Sequence, residues 1–237
     1  MKRFLDIVFS FLGLVCLSPL IAIIAIVISL ESPGPVVYRS VRVGQNWKKF
    51  NFYKFRSMNN KADKDLDKLQ NRNSYLDIYV DPEELDLDES LKKVYLYGDT
   101  YAVNEFAYLN ETAKTANSIY VKVEDDPRIT RFGRFIRRTS LDEIPQLLNV
   151  LRGDMSIVGN RPLSETEAEL LTDDIYAGRF DCPAGITGLW QVQPDKDTMR
   201  AEKRRLLDSE YAEKQSLALD FKIILQTFAK VFSKGNV

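Results

Sequence analysis

The sequence predicts an α+β protein in which one apolar membrane helix, at residues 1–32, precedes a small mixed α/β domain, at residues 33–237. Three observations support this fold class. Residues 4–30 form an apolar run of membrane length, two later segments alternate apolar and polar residues as strands do, and residues 217–232 show an apolar face at helical spacing. The 237 residues, 45% of them hydrophobic, suffice for one domain with a buried core.

Charge is unevenly distributed along the chain. The 33 basic and 34 acidic residues give a net charge of −1, which argues against a nucleic-acid partner. Residues 60–124 hold 14 acidic and 8 basic residues together with seven of the eleven tyrosines, and we interpret them as an insertion into the domain. The remaining 25 basic and 20 acidic residues share the rest of the chain with the apolar run. We therefore expect the basic part of the protein to lie near lipid.

The N-terminal apolar run exceeds the about 20 residues that a membrane helix needs. It is too long for a signal peptide and lacks a small-x-small cleavage site, although Lys2-Arg3 would serve as a basic leader. Ser18-Pro19 lies near its middle, where proline removes a backbone hydrogen bond and bends a helix. Basic residues flank both ends, so a spanning and a re-entrant helix both remain open. Arg3 and Asp6 share one helical face, which would suit an ion pair at the lipid boundary.

The remaining elements follow from shorter patterns. Residues 36–42 and 50–58 alternate in polarity and predict a two-stranded hairpin beside the membrane. Residues 217–232 predict a helix that packs in the core or lies in the membrane interface. A further helix would carry a basic stripe, facing either solvent or phosphate groups, because arginines recur at every third position: Arg128, Arg131, Arg134 and Arg137.

The available side-chain chemistry is narrow. The chain has no histidine, which excludes Ser-His-Asp and Cys-His catalysis and histidine-based metal sites. Its two cysteines, Cys16 and Cys182, cannot form a disulfide framework, which favours a reducing compartment. Carboxylates are therefore the candidate acids, bases, nucleophiles and metal ligands.

The adjacent pair Asp142 and Glu143 is the leading candidate. Ser140-x-x-Glu143 has the form of a helix capping box, which would explain the pair without any chemistry. With Ser140 as N-cap, however, Pro145 would fall inside the helix, so we predict that the helix starts near Asp142. Both carboxylates would then lie at a helix N-terminus, where phosphate also binds. An aspartate beside arginines can attack phosphorus, and a second carboxylate can hold a metal or move a proton.

Two other segments carry candidate binding residues. Residues 153–160 predict a strand that ends at Arg161-Pro162, and the guanidinium fork of an arginine suits a phosphate. An ordinary connection with a surface arginine would have the same sequence. Asp195-Lys-Asp197 has the D-x-D form of metal-dependent glycosyltransferases, but 34 acids make such a triplet expected by chance.

Apart from residues 60–124, the chain from Lys2 to Phe232 resembles the bacterial sugar transferases, which are monotopic polyisoprenyl-phosphate hexose-1-phosphate transferases. The resemblance covers nearly three quarters of the sequence. It rests on Lys2-Arg3-x-x-Asp6, Ser18-Pro19, Tyr53-Lys-Phe-Arg-Ser-Met58, Asp126-Pro-Arg-Ile-Thr-Arg-Phe-Gly133, Ser140-Leu-Asp-Glu-Ile-Pro-Gln-Leu147, Asn149-Val-Leu-Arg-Gly-Asp-Met155 and Pro183-Ala-Gly-Ile-Thr-Gly-Leu-Trp-Gln191.

The resemblance implies a two-step reaction on the cytoplasmic face of the bacterial inner membrane, with the apolar helix re-entrant and bent at Ser18-Pro19. Asp142 would attack the β-phosphate of a UDP-sugar, releasing UMP, and undecaprenyl phosphate would then accept the phosphosugar. Glu143 and Mg²⁺ would assist, and both carboxylates are the implied metal ligands. The implied phosphate- and nucleotide-binding residues are Arg137, Arg161, Pro162, Lys54, Arg56 and Gln191.

Three departures from the family pattern qualify this expectation. Asn160 stands where the family usually has the first proline of Pro-Arg-Pro, and Pro194-Asp-Lys-Asp197 replaces a usual Gly-Arg. The insertion at 60–124 is long, and its acidic, Tyr-rich composition suggests a homodimer or partner surface. Two rival functions remain: a glycosyltransferase that uses Asp195-Lys-Asp197 and releases UDP, and a membrane adaptor without catalysis.

Overall fold

A computed structural model describes residues 1–59, 95–97, 102–104, 126–171, 174–196 and 198–233. It contains both helices and strands, as the sequence predicts. The helices are α1 (Lys2–Glu31), α2 (Arg131–Arg138), α3 (Gln146–Arg152), α4 (Glu165–Leu171), α5 (Ala201–Lys214) and α6 (Leu217–Ser233). The strands are β1 (Val37–Val43), β2 (Lys49–Phe55), β3 (Tyr95–Tyr97), β4 (Ala102–Asn104), β5 (Met155–Val158) and β6 (Ala184–Thr187). Except for the antiparallel pair β3–β4, the proposed insertion and its dimer surface lie outside the described residues.

Helix α1 runs through Pro19 and is long and apolar enough to cross a membrane. Its 30 residues would extend about 45 Å, more than the about 30 Å of a hydrocarbon core. Proline has no N–H to donate to the carbonyl of Val15, four residues earlier. The Ser18 hydroxyl donates to that carbonyl instead, at 2.8 Å. Ser18-Pro19 thus satisfies the backbone acceptor that the proline leaves open.

The start of α1 is attached to the domain by polar contacts. The Lys2 ammonium donates to the carboxylate of Asp220 on α6, at 2.5 Å. Arg3 donates to the carbonyls of Val150 and Leu151 at the C-terminal end of α3, where a helix dipole favours a cation. Asp6 accepts from the Ser156 hydroxyl and the Ile157 N–H of β5. Arg3 and Asp6 therefore do not form the predicted ion pair, because each has its own partners in the domain.

The end of α1 packs against the same domain. Ile24 and Ile28 are buried in an apolar cluster with residues from three other elements, Phe55, Ile136 and Ile144. Beyond the helix, the Ser32 carbonyl accepts from the guanidinium of Arg56 at 2.5 Å. Both ends of the apolar helix therefore contact one domain.

Strands β1 and β2 form the predicted hairpin, with ends shifted by one to three residues. Their antiparallel register pairs Tyr38 with Lys54 and Ser40 with Phe52. Because side chains alternate across a strand, these four residues project from one face of the hairpin. That face forms one wall of the site described below.

The segment around the acidic pair differs from the prediction. Asp142 lies in a three-residue 3₁₀ turn, Leu141–Glu143, and helix α3 begins only at Gln146. The expected helix start near Asp142 is thus wrong, since Pro145 separates the turn from the helix. Ser140 makes no side-chain cap and adopts a left-handed conformation with φ of 58°. The turn is therefore not the start of a capping-box helix.

The predicted arginine stripe is shorter in the structure, whereas the predicted C-terminal helix is present. Arg128 precedes α2 and pairs with Asp126 at 2.6 Å, so the arginine stripe on the helix begins at Arg131. The C-terminal helix is confirmed as α6, with Ile223 buried against the domain. Its opposite face leaves apolar side chains exposed, namely Leu217, Phe221, Leu225 and Phe228.

Strands β5 and β6 run parallel and lead the chain to the site. A Cβ atom on Gly185 would lie 2.1 Å from the Gly159 nitrogen, so this close approach requires glycine. Just beyond β5, Asn160 bridges to Ala184, and Arg161 follows. The sheet therefore determines where the Arg161-Pro162 turn lies.

Candidate active site

A cavity of about 380 Å³ lies between the hairpin, the 3₁₀ turn and the Arg161-Pro162 turn. Its lining includes every residue that the family resemblance implies to be catalytic, metal-binding, phosphate-binding or nucleotide-binding. These eight residues are Asp142, Glu143, Arg137, Arg161, Pro162, Lys54, Arg56 and Gln191. Residues separated by up to 137 positions in the sequence thus meet in one place.

Lys54 connects the two carboxylates. Its ammonium lies 2.7 Å from Glu143 Oε1 and 3.7 Å from Asp142 Oδ2, so the closer ion pair is with Glu143. Only 6% of Asp142 is exposed. This burial raises the pKa of the Asp142 carboxyl, and the neighbouring Glu143 charge raises it further, whereas Lys54 and Arg137 act in the opposite direction. Asp142 is consequently a buried carboxylate whose ionisation depends on neighbouring cations.

Arg137 enters the cavity from the last turn of α2. Its Nε donates to the Ser57 hydroxyl at 2.8 Å, which orients the guanidinium. Thr130 caps the start of the same helix by accepting from the Gly133 N–H at 2.9 Å. Helix α2 therefore presents Arg137 to the cavity from an anchored position, and its charge lies close enough to lower the pKa of Asp142.

The turn that carries Arg161 is held from both sides. Val43, at the end of the hairpin, donates its N–H to the Leu163 carbonyl at 2.8 Å. On the other side, the Arg161 carbonyl accepts from the guanidinium of Arg179 at 3.1 Å. These backbone contacts fix the position from which the Arg161 side chain lines the cavity.

Asn160 stands where the family pattern usually has proline, and its hydrogen bonds explain what asparagine contributes at this position. Its buried side-chain amide donates to the carbonyls of Arg179, at 2.9 Å, and Asp208, at 2.8 Å. Proline has no such donors. Asn160 therefore ties the turn before Arg161 to α5 and to the segment before β6.

Arg179 and Asp208 form an ion pair that sequence reasoning missed. Their side chains are 2.7 Å apart, and each is only 2% exposed. Burial raises the pKa of Asp208 to about 6, against the effect of Arg179. Neither residue lies in a motif with a chemical signature, so only their contacts identify them. The pair supports the backbone of Arg161 from behind the cavity.

Three of the remaining predicted residues have distinct surroundings. The Arg56 guanidinium donates to main-chain carbonyls after α1, including Ser32 and Pro33, so its described contacts support the helix end. Gln191 Oε1 is buried and accepts no hydrogen bond from the described residues. Asp195 is an exposed partner of Lys203, at 2.7 Å, and does not line the cavity.

Comparison with known proteins decides the family. The family model described as bacterial sugar transferase matches residues 1–234. The chain belongs to the bacterial sugar transferase family. It is 37% identical to an undecaprenyl-phosphate galactose phosphotransferase of Salmonella typhimurium, and the match covers 98% of this chain. It is 34% identical to the UDP-glucose:undecaprenyl-phosphate glucose-1-phosphate transferase of Escherichia coli, again over 98% of this chain.

The lengths of these bacterial sugar transferases differ. The present chain spans 40% of the length of each of the two relatives named above. The exopolysaccharide production protein ExoY of Sinorhizobium fredii is 32% identical, and there the match covers 99% of this chain and 87% of the relative. The region that this chain shares with all three relatives therefore includes every residue that lines the cavity.

The hairpin contributes cavity residues that the sequence analysis did not name. Tyr38, Ser40 and Arg42 line the cavity from one face of β1. Arg42 is held by an ion pair with Glu167 of α4, at 3.0 Å. The alternation of the predicted strand would have placed these side chains on the same face as Lys54, had the hairpin register been known.

The donors available for a metal ion are few. Within the described part of the chain, no group of three or more histidine, cysteine, aspartate or glutamate residues could hold a metal. Mg²⁺ commonly uses one or two carboxylates and takes its other oxygen ligands from substrate phosphates and water. Asp142 and Glu143 fit that pattern, because both face a cavity large enough for a phosphate.

Proposed function

We propose that this bacterial sugar transferase moves a sugar 1-phosphate from a UDP-sugar to undecaprenyl phosphate and thereby initiates polysaccharide or glycoconjugate synthesis. The main supporting observation is the buried Asp142 carboxylate, placed in a cavity beside Lys54, Arg137 and Arg161. A carboxylate surrounded by phosphate-binding cations suits nucleophilic attack at phosphorus. The Salmonella and Escherichia coli relatives are named as an undecaprenyl-phosphate galactose phosphotransferase and a UDP-glucose:undecaprenyl-phosphate glucose-1-phosphate transferase.

In the first step, an Asp142 carboxylate oxygen attacks the β-phosphorus of the UDP-sugar. The bond from that phosphorus to the bridging oxygen breaks, and UMP leaves with the bond's electron pair. Arg137 and Arg161 neutralise charge on the phosphate oxygens, since phosphoryl transfer depends on positioning and charge neutralisation. Gln191 Oε1, a buried acceptor, is suited to a hydroxyl donor on the sugar.

In the second step, a phosphate oxygen of undecaprenyl phosphate attacks the phosphorus of the aspartyl-phosphosugar. The acyl-phosphate P–O bond breaks, which restores the Asp142 carboxylate and forms a lipid diphosphate sugar. Lys54 holds Glu143 beside the reacting centre throughout. Bound Mg²⁺, held by Asp142 and Glu143, would further neutralise the phosphate charge.

We further propose that α1 is re-entrant, with both of its ends on the cytoplasmic face of the inner membrane. Both ends contact one domain, through Lys2 at the start and Ile28 at the end. A helix crossing straight through a bilayer would separate these ends by the thickness of the membrane. In intact cells carrying Cys16→Ser, a membrane-impermeant maleimide should label neither an N-terminal cysteine nor Lys48→Cys. Labelling of one site alone would contradict the re-entrant topology.

Isotope exchange tests the two-step reaction. Without lipid acceptor, purified enzyme should exchange labelled UMP into a UDP-sugar, because the covalent intermediate forms and reverts. A direct transfer to lipid would give no exchange and would disprove the covalent intermediate. Release of UDP instead of UMP during full turnover would instead support the glycosyltransferase alternative. A panel of UDP-sugars in the same assay identifies the transferred sugar.

A further inference from the structure

A second cavity, of about 560 Å³, adjoins the first. The two share the lining residues Arg137, Glu143, Arg161, Ile186 and Gln191. Asp142 lines the first cavity but not the second, whereas Glu143 faces both. A molecule in the second cavity would therefore approach the reacting centre from the side of Glu143.

The lining of the second cavity combines positive charge with apolar surface. Among the described residues, its ionisable lining consists of one acid, Glu143, and five cations, Arg137, Arg138, Arg161, Lys196 and Lys230. Its apolar residues are Ile144, Leu147, Ile186, Trp190 and Val192. A phosphate attached to a hydrocarbon chain matches both properties, since arginine and lysine bind phosphate oxygens and the apolar wall removes hydrocarbon from water.

The apolar wall lies next to the membrane helix. Ile144 belongs to the buried cluster that includes Ile24 and Ile28 of α1. Leu147 packs beside that cluster, and a Cβ atom added to Gly13 would lie 3.3 Å from it. The first cavity also has a residue that packs against α1, Phe55, but it is otherwise bounded by hairpin residues such as Tyr38 and Ser40. Among the described residues, the second cavity combines α1-contacting residues with Thr227 and Lys230 of α6, whereas no α6 residue lines the first.

The α6 side of the cavity supplies a positioned lysine. The Lys230 ammonium donates to the Gln193 carbonyl, which places it beside the turn that carries Lys196. One helical turn earlier, Thr227 is held by the Thr187 hydroxyl at 2.8 Å. The outward face of α6 carries exposed apolar side chains. The helix therefore presents Lys230 to the cavity and apolar surface to the exterior.

We propose that the second cavity binds the phosphate of the lipid acceptor, with Lys196 and Lys230 as acceptor-binding residues, while the first cavity binds the nucleotide-sugar. This assignment rests on the proposed function and adds a separate location for the second substrate. The separation has an electrostatic reason. An incoming phosphate is repelled by Glu143 and by the phosphosugar on Asp142, and five cations offset that repulsion.

The two half-reactions can be measured separately on the full-length chain in detergent or nanodiscs. Exchange of labelled UMP into UDP-sugar reports the donor step, and steady-state transfer to undecaprenyl phosphate reports both steps. For the double variant Lys196→Met/Lys230→Met, we expect UMP exchange within about twofold of wild type. Its kcat/KM for undecaprenyl phosphate should fall about a hundredfold, or about tenfold for each lost charged hydrogen bond.

Matched variants separate charge from folding. Lys196→Arg/Lys230→Arg retains both charges and should recover most of the acceptor kcat/KM. Lys222→Met removes an exposed lysine from the same helix, outside both cavities, and should leave both half-reactions unchanged. Equal loss of UMP exchange and lipid transfer in the Lys→Met double variant would overturn the proposal, as would wild-type acceptor kinetics.

Three phosphate probes identify what the cavity recognises. Farnesyl phosphate should inhibit lipid transfer competitively, and its inhibition constant should rise in the Lys→Met double variant. Inorganic phosphate should inhibit far more weakly, because it lacks a chain for the apolar wall. Phosphatidylglycerol nanodiscs that inhibit as well as farnesyl phosphate would show a general headgroup site and overturn the assignment. Absence of UMP exchange in the wild type would refute the covalent mechanism, whereas the acceptor kinetics would still test the cavity.

Discussion

Two buried carboxylates in the same domain have contrasting surroundings. Asp208 is closed off by protein, with the Arg179 guanidinium 2.7 Å away. Asp142 is also buried, but it lines a cavity, and the nearest ammonium, that of Lys54, is 3.7 Å away and closer to Glu143. Burial raises the pKa of both carboxyls. Burial therefore disfavours the ionised form of both carboxyls, although one lies in a closed ion pair and the other lines a cavity.

The contrast distinguishes a buried carboxylate that supports the structure from one that a ligand can reach. In the buried Arg179–Asp208 pair each charge has its counter-ion within the protein, so removing one partner leaves an uncompensated buried charge. A carboxylate at a cavity has room for a ligand, and its charge is only partly balanced. Asp208 consequently holds the backbone around Arg161, whereas Asp142 is available to a substrate.

The largest effect is expected for Asp142→Asn. The amide cannot act as a nucleophile, so UMP exchange should fall about 10⁴-fold or more. The variant should unfold at the same temperature as the wild type or slightly higher, because an ionised carboxylate with a raised pKa is disfavoured by burial. Exchange assays and thermal unfolding in detergent measure both quantities. Substantial residual exchange would mean that another group is the nucleophile.

Asp208→Asn should lower stability strongly and UMP exchange only slightly, the opposite of Asp142→Asn. Arg179 would remain buried without its counter-ion, and the free energy of unfolding should drop by about 3–5 kcal/mol. UMP exchange per folded molecule should fall far less than in Asp142→Asn. The apolar double variant Arg179→Met/Asp208→Leu should recover part of the lost stability, as measured by denaturant unfolding. A catalytic defect at unchanged stability would contradict the contrast between the two acids.

Lys54→Met should change the pH dependence of the donor step. In the proposed mechanism Asp142 must be ionised to attack, so the exchange rate should fall as the pH drops through its pKa, by about tenfold per pH unit below it. Lys54 lowers that pKa, and its loss should therefore move the acid limb to higher pH. Glu143 raises the pKa, so Glu143→Gln should move the limb to lower pH. Shifts in the same direction for both variants would refute this electrostatic account.

The smallest effect is expected at Asp195, whose exposed ion pair with Lys203 represents a third environment. Asp195→Asn should leave the free energy of unfolding essentially unchanged, as is usual at a solvated surface. Lipid transfer should remain at the wild-type rate with and without added Mg²⁺. A loss of metal-dependent transfer would revive the glycosyltransferase interpretation of Asp195-Lys-Asp197.

Periodicity and length predicted much of the fold. The apolar run, the hairpin and the C-terminal helix could be identified because their patterns extend over many residues. The start of α3 could not be placed from the sequence, because neither the Ser140-x-x-Glu143 pattern nor Pro145 indicates that a 3₁₀ turn precedes the helix. The Arg3–Asp6 interpretation was wrong for a related reason, since both residues have partners about 150 positions away.

The sequence by itself determined the chemistry that is available: no histidine, the acidic pair Asp142-Glu143, and family motifs that contain the phosphate-binding candidates. Tertiary structure alone decided which of these residues share a cavity and which support it. Lys54 precedes Asp142 and Arg161 by many positions in the sequence, and it shares a cavity with them because Phe50 and Phe52 of the hairpin pack against Met155 of β5 and Ala184 of β6. Arg179, Asp208 and the second cavity emerged only from the structure, because burial and long-range contacts leave no periodic trace in a sequence.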